Sequence, residues 1–181
     1  MQLPKVVLRD LTLQDVEDRF HWSLDREVIA YLNVPDKYPP FTKEETKLWI
    51  EACINRSNGY IQKAITTEDG NHIGWVDLKN IDQADKSAEI GIAIGDKRFW
   101  GKGYGSSALR AMLSVGFHEW ELNKIWLRVD VDNEKAIRSY RQNGFREEAI
   151  MYQDRWRNGI SVDRLRMAIW RKDFELSVID Q

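Results

Sequence analysis

The run from residue 86 to residue 131 restricts the fold most. There a strand-like "KSAEIGIAIG" meets a glycine-rich turn, a helix-like stretch and a second strand-like "NKIWLRVDV". The helix, predicted from about Gly105 to Trp120, carries Leu109, Met112, Leu113, Gly116, Phe117 and Trp120 on one stripe, which is the spacing of a buried helical face. A strand-helix-strand unit of this length closes as a right-handed crossover between parallel strands. Elsewhere the pattern is antiparallel. "YIQKAIT" and "NHIGWVDL" flank "TEDG", whose Asp-Gly pair suits a hairpin turn, and "FREEAIMYQDRW" and "SVDRLRMAIW" flank "RNG". The expected class is therefore α/β with a mixed, mostly antiparallel sheet.

The remaining segments supply helices to cover that sheet. Leu13, Val16, Phe20 and Leu24 recur at three- and four-residue intervals after a Thr12 cap, and "DREVIAYL" reads as a second short helix. Thr42 with Glu45 makes a capping box for a helix expected to bury Leu48, Trp49, Ala52 and Cys53. "NEKAIRSYRQNGF" reads as a helix stopped at Gly144 by a left-handed cap. The 181 residues, 43% of them hydrophobic, suit one domain spanning 1–181, and only "NVPDKYPPFT" reads as a long irregular connection.

Composition narrows the function classes. Lys plus Arg number 27 against 29 Asp plus Glu, a formal charge of -2, so no global attraction to nucleic acid or to an anionic membrane is expected. No apolar run reaches the ~18 residues of a membrane span, and the opening "MQLPKVVLRD" lacks the layout of a secretory signal, so a cytoplasmic protein is expected. One cysteine and three scattered histidines supply neither a disulfide framework nor metal-ligand spacing, so no metal is expected.

Chemistry concentrates in the glycine loop. Gly101, Gly103 and Gly105 alternate with Lys102 and Tyr104 immediately before a helix, an arrangement that serves equally as a tight turn and as an anion cradle at a helix N-terminus. Two phosphate-binding patterns fail on spacing. Lys102 is followed by Gly103 rather than Ser or Thr, and the glycines run G-x-G-x-G rather than G-x-G-x-x-G. Gly91, inside the preceding strand, marks a bulge or a close approach to the backbone.

A third pattern fits. "RFWGKGYG" resembles the pyrophosphate-binding signature of the GCN5-related N-acetyltransferase (GNAT) superfamily, and Asn133, Ala136, Tyr140 and "NGF" (143–145) resemble its second cofactor motif. Within it, "AEIGIAIGDKRFWGKGYG" and "NEKAIRSYRQNGF" look most like the branch of ribosomal-protein N-terminal and spermidine acetyltransferases. The resemblance implies a GNAT fold, with the parallel strand pair splayed and helices flanking the sheet. It also implies acetyl-CoA as co-substrate and direct transfer to an amine: a polyamine, a protein N-terminus, an aminoglycoside or another small molecule.

The same resemblance implies roles for residues. The backbone of Arg98, Trp100, Gly101, Lys102, Gly103, Tyr104, Gly105 and Ser106 wraps the pyrophosphate. Ile92, Ala93 and Ile94 pair with the pantetheine arm as with another strand, and an amide near Ile92 polarises the thioester carbonyl. Asn133 contacts the arm or caps its helix. Tyr140 faces the coenzyme sulfur, where a phenol near ~10 giving its proton to a thiolate near ~8.5 is uphill by roughly 2 kcal/mol, so a hydrogen bond serves as well as transfer. Glu89 is the candidate base, working through water because a carboxylate near ~4.3 cannot directly strip an amine near ~10.4; its alternative is a solvated strand residue.

Asp25, Glu27 and Asp36 belong to the segment where relatives build the acceptor wall, and Asp154, Trp156 and Asp163 of the tail hairpin close its other side; solvated surface charge is the other reading of these acids. A non-catalytic acyl-CoA sensor on the same fold is the competing function. Eight tryptophans and the terminal hairpin leave room for a homo-oligomer interface.

Overall fold

The computed structural model describes residues 3–56 and 59–179. Strands β1 (Val6–Asp10), β2 (Tyr60–Thr67), β3 (His72–Asp82), β4 (Ser87–Ile94), β5 (Lys124–Asp130), β6 (Arg146–Arg157) and β7 (Ile160–Trp170) form one sheet in the order β1-β2-β3-β4-β5-β7-β6. Among the described residues only β4 and β5 run parallel, in the ladder Ser87↔Lys124, Ala88↔Ile125 and Glu89↔Trp126. The expected mixed sheet is therefore present. The helices are α1 (Asp15–Ser23), α2 (Arg26–Ile29), α3 (Lys43–Ile54), α4 (Tyr104–Ser114), α5 (Glu134–Gln142) and α6 (Arg171–Ile179). The last of these was not anticipated.

The chain divides into two compact units, Met1–Leu78 with Gly91–Met112 and Lys79–Ile90 with Leu113–Gln181. In the first, β1 pairs antiparallel with β2, and α3 starts on the predicted capping box, with Thr42 and Glu45 each accepting the other's backbone N–H. Two local expectations are corrected. Thr12 does not cap α1; its N–H donates to the Asp15 carboxylate at 2.8 Å, and Asp15 also holds Arg9. The buried face of α3 is Thr46, Ile50 and Cys53, whereas Leu48 and Trp49 are exposed. A buried threonine inside a helix has no apolar signature, so the stripe read from sequence is rotated about the axis by about one residue, roughly a quarter of a turn.

In the second unit β5 pairs with β7 and β7 with β6, both antiparallel. The Asn158-Gly159 turn has both residues at positive φ, 52° and 74°, as the two-residue hairpin requires. Gly144 stops α5 at φ 90°. After α4 the backbone takes a π-helical turn at Val115–Glu119 that keeps Gly116 and Phe117 buried. Leu122, Ile125, Leu127, Met167 and Ile169 complete its apolar interior.

Candidate functional site

The first unit carries the glycine loop and the end of β4. Asp96 fastens the entry, accepting the Arg98 N–H at 2.9 Å and meeting the Arg98 guanidinium through both oxygens. The Arg98 hydrogen bonds hold the Asp96 carboxyl below its usual range. Arg98 thus arrives with a carboxylate already attached, although its side chain is 83% exposed. Lys97 is likewise committed, to Asp25 and Glu27 at 2.8 and 2.9 Å, so two of the acids read from sequence as acceptor wall or solvated charge share one cation from the loop.

Trp100 donates its indole N–H to the Ile94 carbonyl at 2.7 Å, pinning the loop to the strand it leaves. Gly101 and Gly103 have φ of 69° and 88°, so glycine is required there by the backbone. Gly105 differs. It lies in α4, and a Cβ built on it would find Ile94 Cγ1 at 3.8 Å as its nearest contact, whereas one at Gly103 would meet Pro4 and Leu3 at 3.0 and 3.1 Å. The first-turn amides of a helix have no acceptor inside it, and two positive-φ glycines directly precede this one. An anionic pyrophosphate fits such a backbone.

Ile92, Ala93 and Ile94 complete β4. The close approach signalled by Gly91 comes from Asp77, since a Cβ at Gly91 would lie 2.9 Å from Asp77 Oδ1. Asp77 is 7% exposed and accepts from Gln62 Nε2 at 3.3 Å; that amide also donates to the Tyr60 hydroxyl at 2.8 Å. Arg19 reaches Gln62 Oε1 at 3.4 Å with its guanidinium between two indoles, 3.5 Å from the Trp75 centroid and 4.3 Å from Trp49. Burial pulls the Arg19 pKa down to about 10, so the group stays cationic at neutral pH. Burial also pushes the Tyr60 phenol well up, helped by the Asp77 charge, so Tyr60 stays neutral. Sequence reasoning missed this cluster of Asp77, Gln62, Tyr60 and Arg19; Gly91 was the one signal for it.

The second unit carries the remaining candidates. Glu89 is not a solvated strand residue: it is 4% exposed and accepts from Arg128 Nε and Nη2, both at 3.1 Å, and from Asn80 Nδ2 at 3.0 Å. Asn133 caps α5 through the Ala136 N–H at 3.3 Å. Tyr140, seven residues on, is half-buried with its ring 5.8 Å from Phe145. Asp154 is tied to Arg164, and Asp163 accepts the Gln153 N–H at 2.7 Å, while Trp156 stands 74% exposed. No cluster of potential metal ligands occurs among the described residues. None of their helices is long and apolar enough to cross a membrane.

Residues 5–146 match the family model of the acetyltransferase (GNAT) domain. The chain is 34% identical over 159 residues to the spermidine N(1)-acetyltransferase of Escherichia coli strain K12, covering 83% of this chain and 85% of that one. It is also 34% identical over 107 residues to a putative ribosomal N-acetyltransferase of Bacillus subtilis, covering 59% and 58%. Among solved structures it resembles the Vibrio cholerae spermidine N-acetyltransferase in complex with CoA and spermine, with TM-score 0.83, 27% identity and coverage of 94% and 98%.

Proposed function

We propose that this chain, which belongs to the GNAT acetyltransferase family, takes a polyamine as its acceptor. It is an acetyl-CoA-dependent N-acetyltransferase that passes acetyl to an amine. The observation that carries the polyamine is the near end-to-end similarity to a spermidine acetyltransferase whose complex holds CoA and spermine.

In this reading residues 1–181 act as one acetyltransferase domain. The backbone from Arg98 to Ser106 holds the pyrophosphate, with the α4 N-terminus supplying a favourable field for negative charge. The extended backbone of Ile92, Ala93 and Ile94 pairs with the pantetheine arm, and the Ile92 N–H polarises the thioester carbonyl where negative charge develops. Asn133 keeps its capping bond and orients the start of α5 beside the arm. Tyr140 stabilises the departing thiolate by a hydrogen bond. Glu89 acts on the amine's proton through water, since Arg128 and Asn80 already engage its oxygens.

The test is free-thiol release from acetyl-CoA across a panel of spermidine, spermine, N-terminal peptides and small amines, with mass spectrometry of the product. Polyamines are expected to give the highest kcat/KM, and a peptide or small amine exceeding them would replace the acceptor assigned here. In the same assay Tyr140→Phe is expected to lower kcat ~10- to 100-fold at saturating acetyl-CoA. Turnover near wild type would remove Tyr140 from the chemistry.

A further inference from the structure

We propose that Asp77 is the carboxylate that receives the ammonium group of the acceptor. The inference rests on the amine-acetylating reading above and adds a residue to it. Three observations carry it, all within the first unit. The carboxylate occupies the space a Cβ would take at Gly91, 2.9 Å from that built position to Oδ1 and 3.3 Å to Oδ2. It therefore lies against the β4 backbone one residue before Ile92, whose N–H the reading assigns to the thioester carbonyl. It is also buried, so its charge acts with little screening by water or salt.

The surroundings fit a cation-binding carboxylate. Gln62 grips Oδ2, and Tyr60, neutral and hydrogen-bonded to the same amide, closes the polar network behind it. Trp75, on the same strand, already carries the Arg19 guanidinium at 3.5 Å, and the Asp77 charge acts on that cation too, so this end of β3 already holds one cation in the field of Asp77. Asp25 and Glu27, two acids of the expected acceptor wall, share the one Lys97 cation and keep 35% and 65% of their side chains exposed, so their pull on a polycation is screened by solvent in a way that of the buried Asp77 is not.

The chemistry needs such a group. A polyamine nitrogen is an ammonium at neutral pH and is not nucleophilic until a proton leaves. Held at Asp77, the ammonium loses one proton to water. Its nitrogen lone pair then forms the C–N bond to the acetyl carbon. The C–S bond breaks, and the second proton lost by nitrogen ends on the coenzyme thiol. The products are the N-acetylamine, free thiol and one proton in solution. Asp77 emerges unchanged.

The experiment is steady-state kinetics of the full chain with spermidine, or with whichever panel amine proves the best acceptor, alongside acetyl-CoA binding by calorimetry. Asp77→Asn is expected to raise the acceptor KM ~10- to 100-fold and to leave the acetyl-CoA Kd within about twofold. Asp77→Glu should recover part of the loss. Gly91→Ala, which forces the carboxylate aside, should raise KM in the wild type and add nothing in an Asp77→Ala background. Contacting residues couple whatever their role, so the structural alternative is excluded by the KM loss arising with an unchanged acetyl-CoA Kd and an unchanged unfolding midpoint, and an unfolding midpoint lowered in step with KM would overturn the proposal. An acceptor KM unchanged in both Asp77→Asn and Gly91→Ala would overturn the proposal. Absence of thiol release from the wild type with every amine would overturn the acetyl-transfer reading first, and this proposal with it. Activity confined to an amine other than a polyamine would remove only the polyamine, because the same variants are then scored on that amine.

Discussion

The glycine loop and Glu89 share strand β4 or adjoin it, yet they are specified in opposite ways. The loop is held by near neighbours in the chain: Asp96 binds Arg98 two residues on, and Trp100 binds Ile94 six residues back. Glu89 is held by Asn80, nine residues away, and by Arg128, thirty-nine away. A site built from backbone conformation and short reach announces itself in the sequence. A site built from side chains on three strands does not, because nothing local says which cation will face which acid.

The comparison breaks most readily at Gly103. Valine there must adopt φ near 88° in a position crowded by Pro4 and Leu3 at 3.0 and 3.1 Å from its Cβ. Gly103→Val is expected to weaken acetyl-CoA binding ~10- to 100-fold by calorimetry. Gly105→Ala, with helical backbone and room for a methyl, should stay within about twofold. Equal losses at both positions would mean that the loop is specified by close approach to the ligand, not by its own backbone.

The Glu89 pair is sharpened by asymmetry. Arg128 keeps 29% of its side chain exposed and Glu89 5%, so removing the arginine leaves a buried anion to Asn80 and, at 3.9 Å, Lys79, while removing the acid leaves a cation that water can reach. Arg128→Met should cost roughly 2–3 kcal/mol of stability and Glu89→Gln roughly 1 kcal/mol, read by denaturant unfolding. The reverse order would place the cluster's strain on the arginine.

Legibility followed the same division. Every strand, the capping box at Thr42, the left-handed stop at Gly144 and the terminal hairpin were readable, because each depends on local periodicity or on one residue's backbone preference. The family followed from "RFWGKGYG" and "NEKAIRSYRQNGF". The environments of the acids were not readable. Asp25 and Glu27 look unpaired until Lys97 is placed beside them, and Asp77 looks like one more strand residue until Gly91 lies against it. Gly91 in the sequence raised the question, and only the three-dimensional structure named the partner. The burial of Thr46 on α3 shows the same limit for a polar residue, which satisfies its hydroxyl on the Thr42 carbonyl at 2.9 Å.

The smallest expected effect concerns Asp15, which combines both modes: a near neighbour in Arg9 and a distant one in His72. Burial pushes its pKa up, but the Arg9 hydrogen bonds, the Thr12 N–H and the His72 charge outweigh that and leave it below the ordinary 3.8. A carboxyl depressed in the folded state adds stability that is complete above its unfolded pKa and lost as pH falls through the folded one. Unfolding free energy should therefore decline below about pH 4 in the wild type and decline less steeply in Asp15→Asn. Parallel acid limbs for the two proteins would assign the loss to other carboxylates.

Besides the Lys97 pairs with Asp25 and Glu27, a contact just behind the loop reaches further still along the chain. Ser107 donates to the Pro4 carbonyl across 103 residues, and Gly103 packs on the same segment. At ~5–20 residues per second a growing chain exposes Pro4 for about 5–20 s before Ser107 exists. The start of the chain waits that long for this neighbour, so the donor loop is among the last parts of the first unit to close, well after β2 has given β1 its antiparallel partner.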